Sequence, residues 1–159
     1  MGAITPLGNS VDDYWSSLVR GESGIGPITL ADTSDFPSKI AGEASDFDPG
    51  DFMDTKEHKR MARFSQLAVA AAGLAIKDAE LDLDNGNRDR IGVVMGNGVG
   101  GFPTMEDNSR TLIGRGGMKM SPYFIPMILP NMAAANVSRL YGLTGYTSTI
   151  VTACAAGTQ

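Results

Sequence analysis

A single thiol dominates the chemistry this chain could do. Cys154 is the only cysteine among 159 residues; it follows the strand-like run Ser148 to Ala153 and precedes the small-residue turn Ala155-Ala156-Gly157. A thiol attacks as its thiolate, and the unpaired N–H groups where a strand feeds the N-terminus of a helix favour that form. Small neighbours suit such a place, because they allow a sharp bend and let a backbone or a substrate approach the sulfur closely. The competing reading is an inert cysteine buried in a sheet, since free cysteine is among the most buried residue types.

Other groups make weaker cases. His58 is the only histidine and lies within the charged run Lys56 to Arg63, a surface-like setting that speaks against its serving as the base for Cys154. Glu106 and Asp107 are adjacent, and neighbours on a helix point apart, so a paired-carboxylate mechanism has no support. Gly96-x-Gly98-x-x-Gly101 follows a strand-like run and fits the dinucleotide fingerprint letter for letter. That fingerprint should open a helix, whereas here Pro103 and a mixed polar stretch come next. Residues 115–121, where an acidic partner for a ribose hydroxyl is wanted, contain none. The loop is therefore read as a tightly bending backbone near the floor of an active site, with a dinucleotide-binding domain as the rival.

The elements that must position these groups alternate between helix and strand. Asn9 and Ser10 precede the helical stretch Val11 to Val19, with Asp12 and Asp13 in its first turn and Gly21 just past its end. Residues 22–55 mix Pro27, Pro37 and Pro49 with turn formers and leave room only for short strands such as Lys39 to Ala44. One long helix is expected from Lys56 to Ala79; Met61, Phe64, Ala68, Ala71 and Ala75 share a face, and the stretch from Leu67 to Ile76 is apolar nearly all round, as for a helix buried between layers. Ile91 to Met95 reads as a short apolar strand. Ser121 caps a short helix starting at Pro122, and Asn131 begins another running to Tyr141.

The net charge of −5 hides an asymmetry: residues 1–54 hold two basic side chains against ten acidic ones, and the remainder eleven against eight. The densest basic cluster is Lys56, Lys59, Arg60 and Arg63, in or before the first turns of the expected long helix. Basic groups there oppose the helix dipole, a small cost that suggests a reason outside the fold. Two readings stand: a solvated helix start, and an electrostatic dock for an acidic partner. Nucleic acid fits less well, because the sequence pI is about 4.7 and no aromatic residues interleave with the basic ones.

Thr152-Ala153-Cys154-Ala155-Ala156-Gly157 resembles the nucleophile motif of the β-ketoacyl-acyl carrier protein synthases, the condensing enzymes of fatty-acid synthesis. The similarity runs along nearly the whole chain. Gly2-Ala-Ile-Thr-Pro-Leu-Gly-Asn9 resembles the stretch after the family's first strand, and Gly21-Glu-Ser-Gly-Ile25 the loop after its first helix. Gly96 to Gly101, Ser121-Pro-Tyr-Phe-Ile-Pro126 and Asn131-Met132 then follow in family order ahead of the cysteine. The chain is most similar to the elongating type-II form, which extends medium and long acyl chains.

The resemblance implies a thiolase-like α/β fold, layered α/β/α/β/α, of which residues 1–159 supply a partial N-terminal ketosynthase domain without its first strand. Two histidines and a lysine that the family uses in decarboxylation and condensation lie outside this span, so the fragment alone is expected to be inactive. Cys154 takes the nucleophile's role. Met105 matches a position that gates the acyl pocket, where a flexible thioether suits a chain of variable length. Lys56, Lys59, Arg60 and Lys119 match the surface that receives acyl carrier protein. That carrier brings the phosphopantetheine arm, and no metal or other cofactor is implied. Family members are homodimers, and Pro122 to Met132 resembles part of the region that meets the partner subunit, although its apolar density equally suits ordinary core. A polyketide-type ketosynthase and a non-catalytic carrier-binding subunit remain alternatives; such subunits typically lose the cysteine.

Composition is compatible with this reading. The length suits one domain, and 42% hydrophobic residues are enough for a core. One cysteine makes no intrachain disulfide, no apolar run approaches membrane-spanning length, and no basic segment followed by an apolar core opens the chain. A cytoplasmic location is the expectation.

Overall fold

Ser10 sets the first element. Its backbone is extended and its Oγ accepts the Asp13 N–H at 3.1 Å; α1 (Val11–Val19) follows, with Asp12 and Asp13 complementing the dipole of its first turn. The helix ends at Arg20, with Gly21 beyond it in the left-handed region (φ 69°). In the computed structural model, which describes residues 1–158, the stretch that follows is largely irregular. It carries only a small antiparallel pair, β1 (Ile25–Pro27) and β2 (Ile40–Gly42), the second shorter than the expected Lys39 to Ala44.

The long helix expected from Lys56 is in fact two helices, α2 (Thr55–His58) and α3 (Arg63–Asp78), separated by an extended Ala62 (φ −73°, ψ 159°). The break draws Met61 and Ala62 into the core, where they are 3% and 4% exposed. Gln66 Nε2 donates to the Met61 carbonyl at 3.2 Å and to the His58 carbonyl at 2.8 Å, the latter also accepting the Met61 N–H at 3.2 Å, so a side chain of α3 bonds the backbone of the break. The break also corrects the dipole argument. Lys59 caps the end of α2, where positive charge is favourable, while Lys56 is the second residue of this single turn. Arg63 starts α3, and the fold uses it: the guanidinium donates to the carbonyls of Ala44 and Phe47 and lies 5.2 Å over the Phe47 ring.

The core is built from Met61, Val69, Val93, Ala134, Val137 and Leu143. These residues join α3, α6 (Met132–Tyr141) and the sheet, and α6 packs against both α3 and the strands. The approach of α3 to α6 depends on Gly73, since a Cβ there would overlap the Tyr141 hydroxyl, which donates to the Val69 carbonyl at 3.1 Å. Gly73→Ala gains up to about 1 kcal/mol of helix propensity. Overpacking costs about 1–3 kcal/mol, and the buried hydrogen bond another ~1 kcal/mol. The expected result is a net loss of about 1–3 kcal/mol, read as a lower denaturant midpoint of the full-length protein; an unchanged or raised midpoint would show that Tyr141 yields freely.

The second sheet pairs β3 (Val93–Gly96) with β4 (Thr147–Ile150) in parallel, Val93 opposite Thr147 and Gly96 opposite Ile150. Between them run α4 (Phe102–Arg115), α5 (Phe124–Ile128) and α6, the helical crossover that parallel strands require. Three boundaries differ from expectation. The strand assigned to residues 91–95 runs from Val93 to Gly96. The helix assigned to Pro122 begins at Phe124, because Ser121 folds a turn in which its Oγ accepts the Tyr123 N–H and its carbonyl the Phe124 N–H. The strand assigned to residues 148–153 ends at Ile150, so the chain leaves the sheet before it reaches Cys154.

Candidate active site

β4 points the chain at the nucleophile candidate, and a backbone reversal presents it. After Ile150 the chain passes Val151 and Thr152, and Ala153 adopts φ 50°, one of two non-glycine residues with positive φ among those described. This conformation costs an L-residue about 1–2 kcal/mol. It tips the chain into a 3-10 turn, Ala153–Thr158, closed by the Ala155 N–H on the Thr152 carbonyl at 3.1 Å and by Thr158 Oγ1 on the Ala155 carbonyl at 2.9 Å. Cys154 lies on this turn, outside β4, and is exposed in this span.

The turn rests on β3. A Cβ on Gly96 would overlap the carbonyl oxygen of Ala156 and lie 2.6 Å from its carbonyl carbon, so only glycine admits this contact. Asn97 extends the join: its N–H donates to the Ile150 carbonyl at 2.9 Å, and its Nδ2 donates to the Pro130 carbonyl at 2.8 Å. Gly100 and Gly101 pack against the carbonyls of Ile128 and Met127, and the Gly101 N–H bonds Ile128 at 3.1 Å. The 96–101 loop thus fastens the cysteine turn to the α5–α6 connection.

The expectation that this loop opens no helix is incorrect. α4 starts at Phe102, with Gly101 as its cap and Pro103 in its first turn, where a missing N–H costs nothing. Within the loop, the Asn97 and Gly101 amides are taken by the chain's own carbonyls. Met105 lies in the second turn of α4 and is 42% exposed; with Phe102 and Leu112 it forms an apolar stripe open to solvent. Glu106 pairs with Arg110 one turn on, at 2.6 Å.

The structure does not bring His58 to Cys154. α2 packs on the turn Pro49–Asp51, and the cysteine turn packs on β3. A cavity of about 460 Å³ between residues 5–9 and 43–46 is lined by polar groups and does not include Cys154.

Lys56, Lys59, Arg60 and Lys119 are all exposed, and none of them forms an ion pair among the described residues. The one acid in the cluster, Glu57, is bonded to Arg139 of α6; that bond holds its carboxyl below the usual carboxylate range. Arg60 and the segment after Lys119 meet directly, with the Arg60 guanidinium 4.9 Å from the centre of the Tyr123 ring. Sequence reading missed Gly96, Asn97 and Tyr123 as partners of these sites; the spacing of the glycines was visible, but not the carbonyls they face.

A parallel strand pair linked by crossover helices thus carries a lone cysteine on the turn after its second strand. Residues 1–159 match the family model "Beta-ketoacyl synthase, N-terminal domain" over their whole length, and the chain belongs to that family. It is 46% identical over 159 residues to 3-oxoacyl-[acyl-carrier-protein] synthase 2 of Synechocystis sp., covering 100% of this chain and 38% of that protein. Among solved structures, the ishigamide ketosynthase/chain length factor superposes with a TM-score of 0.84 at 29% identity, covering 95% of this chain and 38% of that one. A type II polyketide synthase acyl-carrier protein in complex with its ketosynthase gives a TM-score of 0.79 at 28% identity, covering 98% of this chain and 41% of that one. The fold is thus the thiolase-like fold of the ketosynthases, and the chain spans well under half the length of these relatives.

Proposed function

We propose that this chain is the N-terminal part of a 3-oxoacyl-acyl carrier protein synthase of the elongating type, with Cys154 as its nucleophile. The observation that carries the reading is the exposed Cys154 on a strained turn seated against Gly96. The Cys154 thiolate attacks the carbonyl of an acyl thioester on the phosphopantetheine arm of acyl carrier protein; the new C–S bond forms as the old one breaks, and the carrier thiol leaves with a proton. A malonyl unit on a second carrier then loses carbon dioxide, and the electron pair of the broken C–C bond becomes an enolate. That enolate attacks the acyl carbonyl on Cys154, releasing the thiolate and a 3-oxoacyl chain two carbons longer. The Cys154 N–H contributes to the oxyanion site, and two histidines beyond this span stabilise the developing enolate oxygen.

Met105 on the apolar stripe of α4 gates the acyl pocket in this reading. The exposed apolar side chains Ile125 and Leu129 fit a surface that meets a partner subunit in a homodimer. The phosphopantetheine arm needs no further cofactor. No helix among the described residues is long and apolar enough to cross a membrane, which accords with a cytoplasmic enzyme. The higher identity to the synthase 2 relative than to the polyketide ketosynthases favours the fatty-acid substrate class. Supplying the full-length protein with acyl- and malonyl-acyl carrier protein tests the reaction. Carbon dioxide and a 3-oxoacyl product longer by two carbons are expected, and carrier binding without either product would leave only a non-catalytic subunit.

Lys56, Lys59, Arg60 and Lys119 form the docking surface for the acidic carrier in this reading. Reversing two of these charges, in Lys56→Glu/Lys59→Glu, should raise KM for the carrier-borne substrate about tenfold or more at low salt with a smaller change in kcat, because exposed charges act mainly on encounter. The effect should shrink as ionic strength rises. An unchanged KM at low salt would move the docking surface elsewhere.

A further inference from the structure

We propose that Tyr123 is a positioning residue that holds the Arg60 guanidinium ready for the acidic carrier, joining basic residues from two distant segments into one docking site. This rests on the carrier-docking reading of Lys56, Lys59, Arg60 and Lys119.

Arg60 is an exposed side chain just beyond α2, and a free arginine there would spread over many rotamers, all but one of which a partner's carboxylate would have to select. The Tyr123 ring removes much of that freedom, since the guanidinium lies 4.9 Å from its centre, within the range of a cation–π contact. A guanidinium stacked by its face keeps its edge N–H groups free for a carboxylate. The ring therefore orients the cation without neutralising it, which an acidic residue in the same place could not do.

The backbone that carries the ring is itself held. Asn108 on α4 accepts the Ser121 N–H at 3.2 Å, and Ser121 Oγ in turn accepts the Tyr123 N–H at 3.2 Å. Tyr123 follows Lys119 by four residues, so this relay ties the second basic segment to the first. The other side of the cluster is fixed as well. Glu57, whose charge would repel an acidic partner, is bonded to Arg139 on α6, a contact that both pins α2 and compensates the carboxylate. Arg60 is thus placed and still charged before any partner arrives, and preorganisation of this kind reduces the ordering cost of binding.

The test compares kcat/KM of the full-length enzyme for one acyl chain carried on acyl carrier protein and on free pantetheine, in the wild type and in Y123L, Y123F, R60A and the double variant Y123L/R60A. The expected result is a fall of about fivefold in the carrier-to-pantetheine ratio for Y123L and retention within about twofold for Y123F, which keeps the ring. The double variant should be no worse than R60A alone, because both changes remove one arrangement. Equal losses on both substrates in Y123L would overturn the proposal in favour of a purely structural role. So would independent, additive losses in the double variant. A wild-type ratio in R60A would instead overturn the docking surface itself, and this inference with it.

Discussion

The Cys154→Ala enzyme should form no acyl adduct, and condensation should fall by a factor on the order of 10⁴ or more, as when the nucleophile of a covalent mechanism is removed. The reason is specific to this turn: Cys154 is the chain's only thiol, and Ala155, Ala156 and Gly157 beside it carry no group that could replace the sulfur. Little else should change. The closing hydrogen bonds of the turn belong to Thr152, Ala155 and Thr158 and involve no atom of the Cys154 side chain. Intact-mass analysis of the full-length protein after incubation with acyl-acyl carrier protein is the direct check. A wild-type mass increase in Cys154→Ala would assign the nucleophile to another residue and end the proposed mechanism.

Gly96→Ala carries the second largest expected effect. The added methyl would sit 2.6 Å from the Ala156 carbonyl carbon, against an ordinary contact of roughly 3.5–4 Å, so the cysteine turn must move by about 1 Å. A displacement of that size at a reacting group costs about 10²-fold in rate. The stability cost of such overpacking is about 1–3 kcal/mol, so the expected signature is a loss of acyl loading far larger than the loss of folded protein. Single-turnover loading of the folded fraction separates the two. Wild-type loading in a folded Gly96→Ala protein would mean that the turn tolerates displacement and that Gly96 serves packing alone.

How far these features were legible in the sequence depended on their range along the chain. Ser10 and Asp13 are three residues apart, and the cap they form was visible in advance; so was α6, which begins at Met132 after Asn131. Pro103 was misread although its signal was local: proline in the first turn of a helix is compatible with it, and the Gly96–Gly101 loop does open one. The break between α2 and α3 had no local signal of that kind. Met61 opens the apolar spacing that continues through Phe64 and Ala68, so nothing in it marks a stop at Ala62, and the interruption arises because Met61 and Ala62 are buried while Gln66 donates to the His58 and Met61 carbonyls from the next helix.

The sequence by itself determined the nucleophile candidate, the small residues around it, the basic cluster and the family to which all of them point, because each is a matter of residue type and short spacing. The tertiary structure decided the rest. It replaced a costly charge at a helix start with a favourable one at a helix end, set Gly96 against the Ala156 carbonyl across 60 residues of chain, and placed Tyr123 over Arg60 across 63. Contacts of that range are fixed by how α3, α6 and the β3–β4 pair share one core. No periodicity within a single segment encodes which backbone oxygen or which ring will stand opposite.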